Sequence, residues 1–165
     1  MKLQTVFRSP TEGKMNLAKV AKTVSRFISQ DAQSKYRLIV GTDSDGLKEA
    51  DFVTAIIVYR VGHGGRYFWT KTKNGGVVYH NLRDRIYKEV DLSLRTAQNI
   101  LDQLGSSPKS NEDLNYDFQI HIDVGQKGPT RDMIKEVVGM VRGNGFEAKI
   151  KPESFAASNV ADRYA

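Results

Sequence analysis

The sequence predicts an α/β protein with five strands in one sheet and helices on both faces. The sheet mixes antiparallel and parallel strands, as in α+β proteins. Apolar runs rich in β-branched residues, the first at 36–42, are typical of buried strands. Three such runs follow one another through short turns, which favours antiparallel pairing. A helix then separates each later strand from the one before it, which requires crossover connections and a parallel final pair.

Residues 1–35 are expected to form an N-terminal extension that carries one helix. Residues 1–13 have turn chemistry and are predicted to be irregular. Apolar residues then repeat at helical spacing from Leu17 to Ile28, and Asn16 is the expected N-cap.

The predicted sheet begins after this extension. Its first three strands are expected at Tyr36–Thr42, Phe52–Val61 and Arg66–Thr72. A long helix is predicted from its cap Asn81 to Leu104, where Gly105 ends it. The remaining elements are a strand at Phe118–Val124, a helix capped by Thr130, a strand at Phe146–Lys151 and a short helix capped by Ser154.

Composition narrows the classes of function. With 25 Lys and Arg against 19 Asp and Glu, the net charge of +6 favours an anionic partner such as nucleic acid. The lack of cysteine excludes disulfides and thiolate zinc sites. No apolar run approaches the roughly 20 residues that span a bilayer, and residues 1–8 lack a signal-peptide apolar stretch. We therefore expect a cytoplasmic protein with one domain over 1–165 and no membrane partner; the oligomeric state stays open.

Acidic residues stand where the predicted elements end. Asp43 closes the first buried strand, and a buried charge is costly unless it is paired. Glu89 in the long helix, Asp123 at the end of the fourth strand and Asp162 near the C-terminus are placed to share the same point. Carboxylate oxygens suit Mg²⁺ or Mn²⁺. The four acids are therefore predicted to converge on divalent metal.

Three motifs carry a resemblance to a known family. They are Val40-Gly41-Thr42-Asp43-Ser44, His121-Ile122-Asp123-Val124-Gly125, and Ile150-Lys151-Pro152-Glu153-Ser154 with Ala161-Asp162-Arg163. In these motifs and in element order the chain resembles the ribonuclease H-like superfamily, and more closely the YkuK-type group of predicted ribonuclease H-related proteins. The resemblance covers Phe7 to Arg163. It implies a ribonuclease H-like domain with acids at Asp43, Glu89, Asp123 and Asp162.

The implied activity is metal-dependent hydrolysis of phosphodiester bonds in RNA, DNA or a hybrid. Two hard cations about 4 Å apart can stabilise both the attacking and the leaving oxygen. Asp43 and Asp123 are expected to take the central roles, while Glu89 and Asp162 each hold one ion. Substrate phosphates would meet four basic residues near the same edge, namely Lys127, Arg131, Lys151 and Arg163.

Several residue roles stay open. Asp43 could be a turn residue, and Asp123 could bond the following glycine loop. Glu89 could be solvated or paired with Arg85 or Lys88. Asp45 could be a second strand ligand, as in proofreading-type exonucleases, but Gly46 favours a turn. We interpret His121 as a buried histidine outside the site.

Function also has alternatives. The first is a non-catalytic nucleic-acid-binding module on the same fold, which would bind without metal-dependent turnover. The others are a 3'-5' exonuclease variant and an actin-like phosphate-handling ATPase. The ATPase is disfavoured because 165 residues cannot supply two such subdomains.

Overall fold

The structure is a computed structural model that describes residues 5–45, 50–73, 76–105, 114–154, 159–160 and 164. Its strands are β1 (Phe7–Ser9), β2 (Gly13–Met15), β3 (Tyr36–Ser44), β4 (Phe52–Arg60), β5 (Gly64–Thr72), β6 (Asp117–His121) and β7 (Glu147–Lys149). Its α-helices are α1 (Leu17–Ser29), α2 (Leu82–Gln103) and α3 (Ile134–Gly143).

In the described ranges the strands form one mixed sheet in the order β2-β1-β5-β4-β3-β6-β7. Strands β3, β4 and β5 form an antiparallel meander. Strand β6 then pairs parallel with β3, and β7 pairs parallel with β6. The predicted arrangement of three antiparallel strands followed by two parallel ones is therefore confirmed.

The N-terminal residues were predicted to be irregular, and this was wrong. Strand β1 pairs antiparallel with both β2 and β5, which widens the expected five-stranded sheet to seven strands in the described chain. The Ser9 hydroxyl accepts hydrogen bonds from the Thr11 and Glu12 amides, each at 3.3 Å, and so closes the turn. Phe7 and Met15 then point into the core. Strands of three residues are too short to show an alternating pattern in the sequence.

The two faces of the sheet carry separate apolar clusters. Side chains of α1, α2 and α3 share the main core with alternate strand residues such as Leu38 and Val40. Ile39 and Ile57 point to the opposite face, where Val160 from the helical C-terminal residues packs on them. Among the described residues, no helix has the length and apolar character needed to cross a membrane.

The predicted helix boundaries rest on side-chain caps that the structure contains. The Asn16 side chain accepts from the Lys19 amide at 2.9 Å, and the Asn81 side chain accepts from the Asp84 amide at the same distance. Gly105 adopts a φ of 67° just after α2, a conformation that suits glycine. Helix α2 packs its apolar face on the sheet, and the Thr42 hydroxyl, 2.8 Å from the Ser93 hydroxyl, adds a polar contact between helix and sheet.

The second half of the chain departs from prediction at three points. Strand β6 ends at His121 rather than Val124. The Thr130 side chain does not cap a helix but accepts from the Gly125 amide at 3.1 Å, and a 3-10 turn at Arg131–Met133 precedes α3. Strand β7 is shorter than expected. Ser154 is buried, but the helix start that it was predicted to cap lies at 155–158, outside the described residues.

Candidate active site

The ends of two neighbouring parallel strands bring Asp43 and Asp123 to the same edge of the sheet. Gly41 pairs with His121 across β3 and β6, so Asp43 and Asp123 each follow two residues beyond a matched pair. Both carboxylates are half-buried. Parallel strands end at a common edge, which is where ligand sites of open α/β sheets lie.

Helix α2 places Glu89 over this edge. Glu89 is only 5% exposed, so the interpretation of Glu89 as a solvated residue is wrong. The Ser44 hydroxyl donates to Glu89 Oε2 at 3.1 Å. The contact between α2 and β3 therefore carries a carboxylate into the interior beside the end of a strand.

The charges of the three acids act on one another. Burial raises the pKa of Glu89 well above its usual value, and the negative charges of Asp43 and Asp123 raise it further. The Ser44 hydrogen bond and the Arg85 guanidinium oppose this effect without cancelling it. The structure thus brings three of the four predicted acids within electrostatic reach. Asp162, the fourth, lies outside the described residues.

Asp43 and Asp45 differ although only one residue separates them. Asp43 Oδ1 accepts from the Ser44 amide at 2.8 Å and takes part in the charge cluster around Glu89. Asp45 is exposed, and its carboxylate lies 3.4 Å from the Asp51 amide across the connection to β4. This position fits the predicted turn role of Asp45.

Asp123 is held by a lysine rather than by the glycine loop. Lys151 Nζ lies 2.9 Å from Asp123 Oδ1. The Lys151 stem passes directly over Gly125, where an added Cβ would come within 3.1 Å of the lysine Cβ. Pairing that continues past β6 and β7 sets this position, since the Lys151 amide donates to Val124 O at 2.9 Å. Sequence reasoning assigned Lys151 to substrate and missed its pairing with a predicted metal ligand.

A small cavity lies beside Glu89 and Asp123. Its volume of about 10 Å³ is at the lower limit for holding one water. It is lined by the polar residues Thr42, Glu89, Ser93, His121 and Asp123 together with Val90, Ile120 and Ile122. His121 Nε2 lies 3.1 Å from Gln119 Oε1. Burial lowers the pKa of His121 to about 4, so the ring is neutral near pH 7. His121 is buried, as predicted, yet it lines the same cavity as two of the acids.

The oxygen donors at this edge are chemically suited to a hard divalent ion, but those of the described residues are not arranged as a ligand shell. Carboxylate and hydroxyl oxygens are the ligands that Mg²⁺ and Mn²⁺ prefer. In the described part of the chain, however, no three or more acidic, histidine or cysteine side chains are spaced to hold an ion. Asp123 faces the Lys151 ammonium, and one oxygen of Asp43 faces the Ser44 amide. An ion would therefore require these side chains to rearrange.

Three of the four predicted substrate contacts line two adjoining cavities, and one of these three, Lys151, touches Asp123. Lys127 and Lys151 line one cavity of about 560 Å³, and Arg131 lines an adjoining cavity of about 550 Å³. All three residues are exposed. Arg163 lies outside the described residues.

Comparisons with known proteins agree with this fold. A family model described as ribonuclease H-like matches residues 19–165. The chain therefore belongs to the ribonuclease H-like family, and the predicted resemblance is confirmed. Within that family it is similar to a Bacillus subtilis (strain 168) protein named uncharacterized protein YkuK. The two are 34% identical over 168 residues, which cover 96% of each chain. No solved structure matches the chain at a significant level.

Proposed function

We propose that the protein is a metal-dependent nuclease that hydrolyses phosphodiester bonds of RNA, DNA or a hybrid. The observation that carries the proposal is the meeting of Asp43, Glu89 and Asp123 at the shared end of two parallel strands. Three carboxylates that crowd together repel one another unless a cation is present. Family membership supports the same reading.

The proposed ligands are Asp43, Glu89 and Asp123, together with Asp162 from beyond the described residues. Mg²⁺ or Mn²⁺, as two ions, would supply charge stabilisation to the attacking and leaving oxygens of the phosphodiester. Because Lys151 already pairs with Asp123, it would have to give up or share that contact when an ion binds.

The chain's own residues have distinct tasks in this proposal. Ser44 orients the Glu89 carboxylate through its hydroxyl. The contact between Thr42 and Ser93 holds α2 at a fixed height above β3, which sets where Glu89 lies. Lys151, which lies against Asp123, and Lys127, which lines the same cavity as Lys151, would bind substrate phosphates, as would Arg131 and Arg163.

Neutralising the acids tests the proposed site. We expect Asp43→Asn and Asp123→Asn each to abolish magnesium-dependent cleavage of labelled hybrids, junctions and single strands, while the fold persists by circular dichroism. Asp45→Asn is the matched control, because Asp45 is exposed and turned toward Asp51. Cleavage that survives both site substitutions would remove the proposed site.

One observation favours a second candidate, a non-catalytic nucleic-acid-binding module. The Lys151 ammonium lies against Asp123, and the described residues lack a three-ligand group. If the Lys151 ammonium permanently takes the place of the metal ion, the protein would bind nucleic acid without cleaving it. This candidate predicts salt-sensitive binding and no heat of Mn²⁺ binding in calorimetry, whereas the nuclease proposal predicts Mn²⁺ uptake that Asp43→Asn weakens.

A further inference from the structure

A groove runs along the outer edge of the sheet, between α3 and the strand β7. It consists of two adjoining cavities, of about 550 and 560 Å³, which share Gln126 and Ile150 as lining residues. One wall is a stripe of α3 and its preceding turn, and the other is β7 with the residues that follow it. We call this feature the α3–β7 groove.

The rim of the groove is cationic. Arg131, Lys135 and Arg142 line the first cavity, and all three are exposed. In the described chain the ion pairs involve other cations, so no carboxylate neutralises this stripe. Glu136, the acid beside Lys135, is turned away and pairs with Arg83 at 2.8 Å. The rim therefore offers unneutralised positive charge to an anionic chain.

Gly139 opens the middle of this stripe. Lys135 and Gly139 are four residues apart, which places them on one side of α3, and Arg131 in the preceding 3-10 turn lines the same cavity. A Cβ built on Gly139 would meet nothing within 4 Å. The missing side chain thus leaves free space beside the cations, and a larger side chain at this position would project into the groove that Gly139 lines.

The floor of the groove is apolar. It is formed by four partly exposed side chains, Ile134, Val138, Ala148 and Ile150. In a duplex the phosphates point outward and the bases are paired and stacked, so few base faces are exposed that could pack on apolar side chains. A single strand exposes base faces together with its phosphates. Cationic rims over an apolar floor therefore match a single strand better than a duplex.

The groove ends at the acids. Its second cavity is lined by Lys127 and Lys151, and the Lys151 ammonium lies 2.9 Å from Asp123 Oδ1. A strand lying on α3 would thus reach the edge where Asp43, Glu89 and Asp123 meet. The one acid that lines the groove in the described residues, Glu153, lies in the second cavity, beyond the three-cation stripe.

We propose that the α3–β7 groove binds a single strand of nucleic acid and delivers it to the acidic edge. What happens at the end of the groove rests on the proposed nuclease function, but binding in the groove does not. Experiments can therefore refute groove binding and the nuclease function independently of each other.

Binding by the full-length chain, measured in chelator without added metal, tests the groove alone. The probe is a fluorescent single strand of about 12 nucleotides, compared with a duplex of the same sequence by anisotropy. We expect the single strand to bind more tightly. Equal or tighter binding of the duplex overturns the proposal, as does an absence of single-strand binding, which would leave the groove to another occupant such as an acidic peptide.

Two pairs of variants locate the binding. Gly139→Leu should weaken single-strand binding by about tenfold, while its better helix propensity keeps the fold intact. Gly143→Leu is the matched control, since Gly143 is also open but does not line the groove. Equal binding by the two variants would overturn the proposal.

The second pair reverses charge. The triple change Arg131→Glu, Lys135→Glu and Arg142→Glu should weaken binding at least about tenfold and lower the salt slope by about 2. The control is Lys14→Glu, Lys19→Glu and Lys22→Glu, which changes net charge equally at an exposed lysine patch by α1. If both triple variants lost single-strand binding equally, only net charge would matter, and the proposal of binding in the groove would be overturned. Metal-dependent cleavage that fails in the wild type, with groove binding intact, would count against the nuclease proposal alone.

Discussion

The two ends of β3 carry opposite charges and accommodate them differently. At the start of the strand, the Arg60 guanidinium lies 5.4 Å from the Phe27 ring centre and 5.6 Å from that of Tyr36, and Arg66 also lies over Phe27. Arg60 Nε donates to the Tyr36 hydroxyl at 3.2 Å. These cations keep contact with water and with aromatic faces, so their charges are stabilised within the fold.

At the far end of β3 the compensation is incomplete, because the Ser44 hydrogen bond and the Arg85 charge only partly offset the cost of ionising Glu89. There Glu89 is buried, and the charges of Asp43 and Asp123 add to the cost of its ionisation. The exposed Lys151 pairs with Asp123 rather than with Glu89. The arginine end thus has the features of a stabilising contact, whereas at the acidic end the ionised form of Glu89 is disfavoured unless a cation binds there. Strain of this kind is typical of functional sites.

Neutralising Glu89 should have the largest effect on this contrast. We expect Glu89→Gln to lower metal-dependent cleavage by at least about 100-fold, the range seen when a single catalytic contact is removed. The same change should raise the free energy of unfolding at pH 8 without metal, because glutamine removes the cost of burying a group that is ionised in the unfolded chain. Cleavage assays and urea unfolding measure the two effects. A variant that loses stability as well as activity would contradict the picture of a strained carboxylate.

The pH dependence of stability should reveal the same strain. Since the pKa of Glu89 is raised in the folded protein, its contribution is fully present below its unfolded pKa and is lost as the pH rises through the folded pKa. Each unit of displacement corresponds to about 1.4 kcal/mol. In metal-free buffer, the wild type should therefore lose stability relative to Glu89→Gln as the pH rises from about 4.5. If the free energy of unfolding changed with pH in the same way in the wild type and in Glu89→Gln, the raised pKa of Glu89 would be refuted.

Removing the hydroxyl under the acids should have a smaller effect. Thr42→Val keeps the shape of the side chain but leaves the Thr54 and Ser93 hydroxyls, at 3.0 and 2.8 Å, without their shared partner. We expect a loss of about 1–2 kcal/mol in the free energy of unfolding. Chemical denaturation measures it, and the double variant Thr42→Val with Ser93→Ala should recover part of the loss. No recovery would mean that the hydroxyls are not coupled.

At the arginine end the smallest effect is expected. Arg66→Gln removes the contact with Phe27 and the hydrogen bond from Arg66 to the Thr11 hydroxyl at 3.3 Å. Because this charge is already stabilised by solvent and ring, stability should fall by only about 0.5–1 kcal/mol, with cleavage unchanged. Thermal unfolding and the cleavage assay check both. A loss of cleavage in Arg66→Gln would contradict the proposal that the acidic end of β3 carries the activity.

Local signals account for the parts of the fold that the sequence predicts well. Asn16 and Asn81 cap the helices that follow them, and Gly105 ends α2, because each acts on its own backbone within a few residues. The long apolar runs of β3 and β4 likewise carry their own signal. These features need no knowledge of the tertiary structure.

The misses have a common physical origin in contacts between distant residues. Thr130 has a residue type suited to capping, but the fold offers its hydroxyl the Gly125 amide instead. No pattern in the sequence indicated that the pairing of β6 with β7 would place Lys151, predicted to contact substrate, against Asp123. At the candidate site, sequence order indicated which acids to consider. The burial of Glu89 and the ammonium beside Asp123 depend on packing that sequence patterns do not encode.

If Asp43, Glu89 and Asp123 form one site for divalent metal, anomalous diffraction from a manganese-soaked crystal will locate the ion. We expect a manganese peak among these three carboxylates, with Lys151 withdrawn from Asp123. An empty site in excess manganese, with the contact between Lys151 and Asp123 intact, would contradict the proposed metal site.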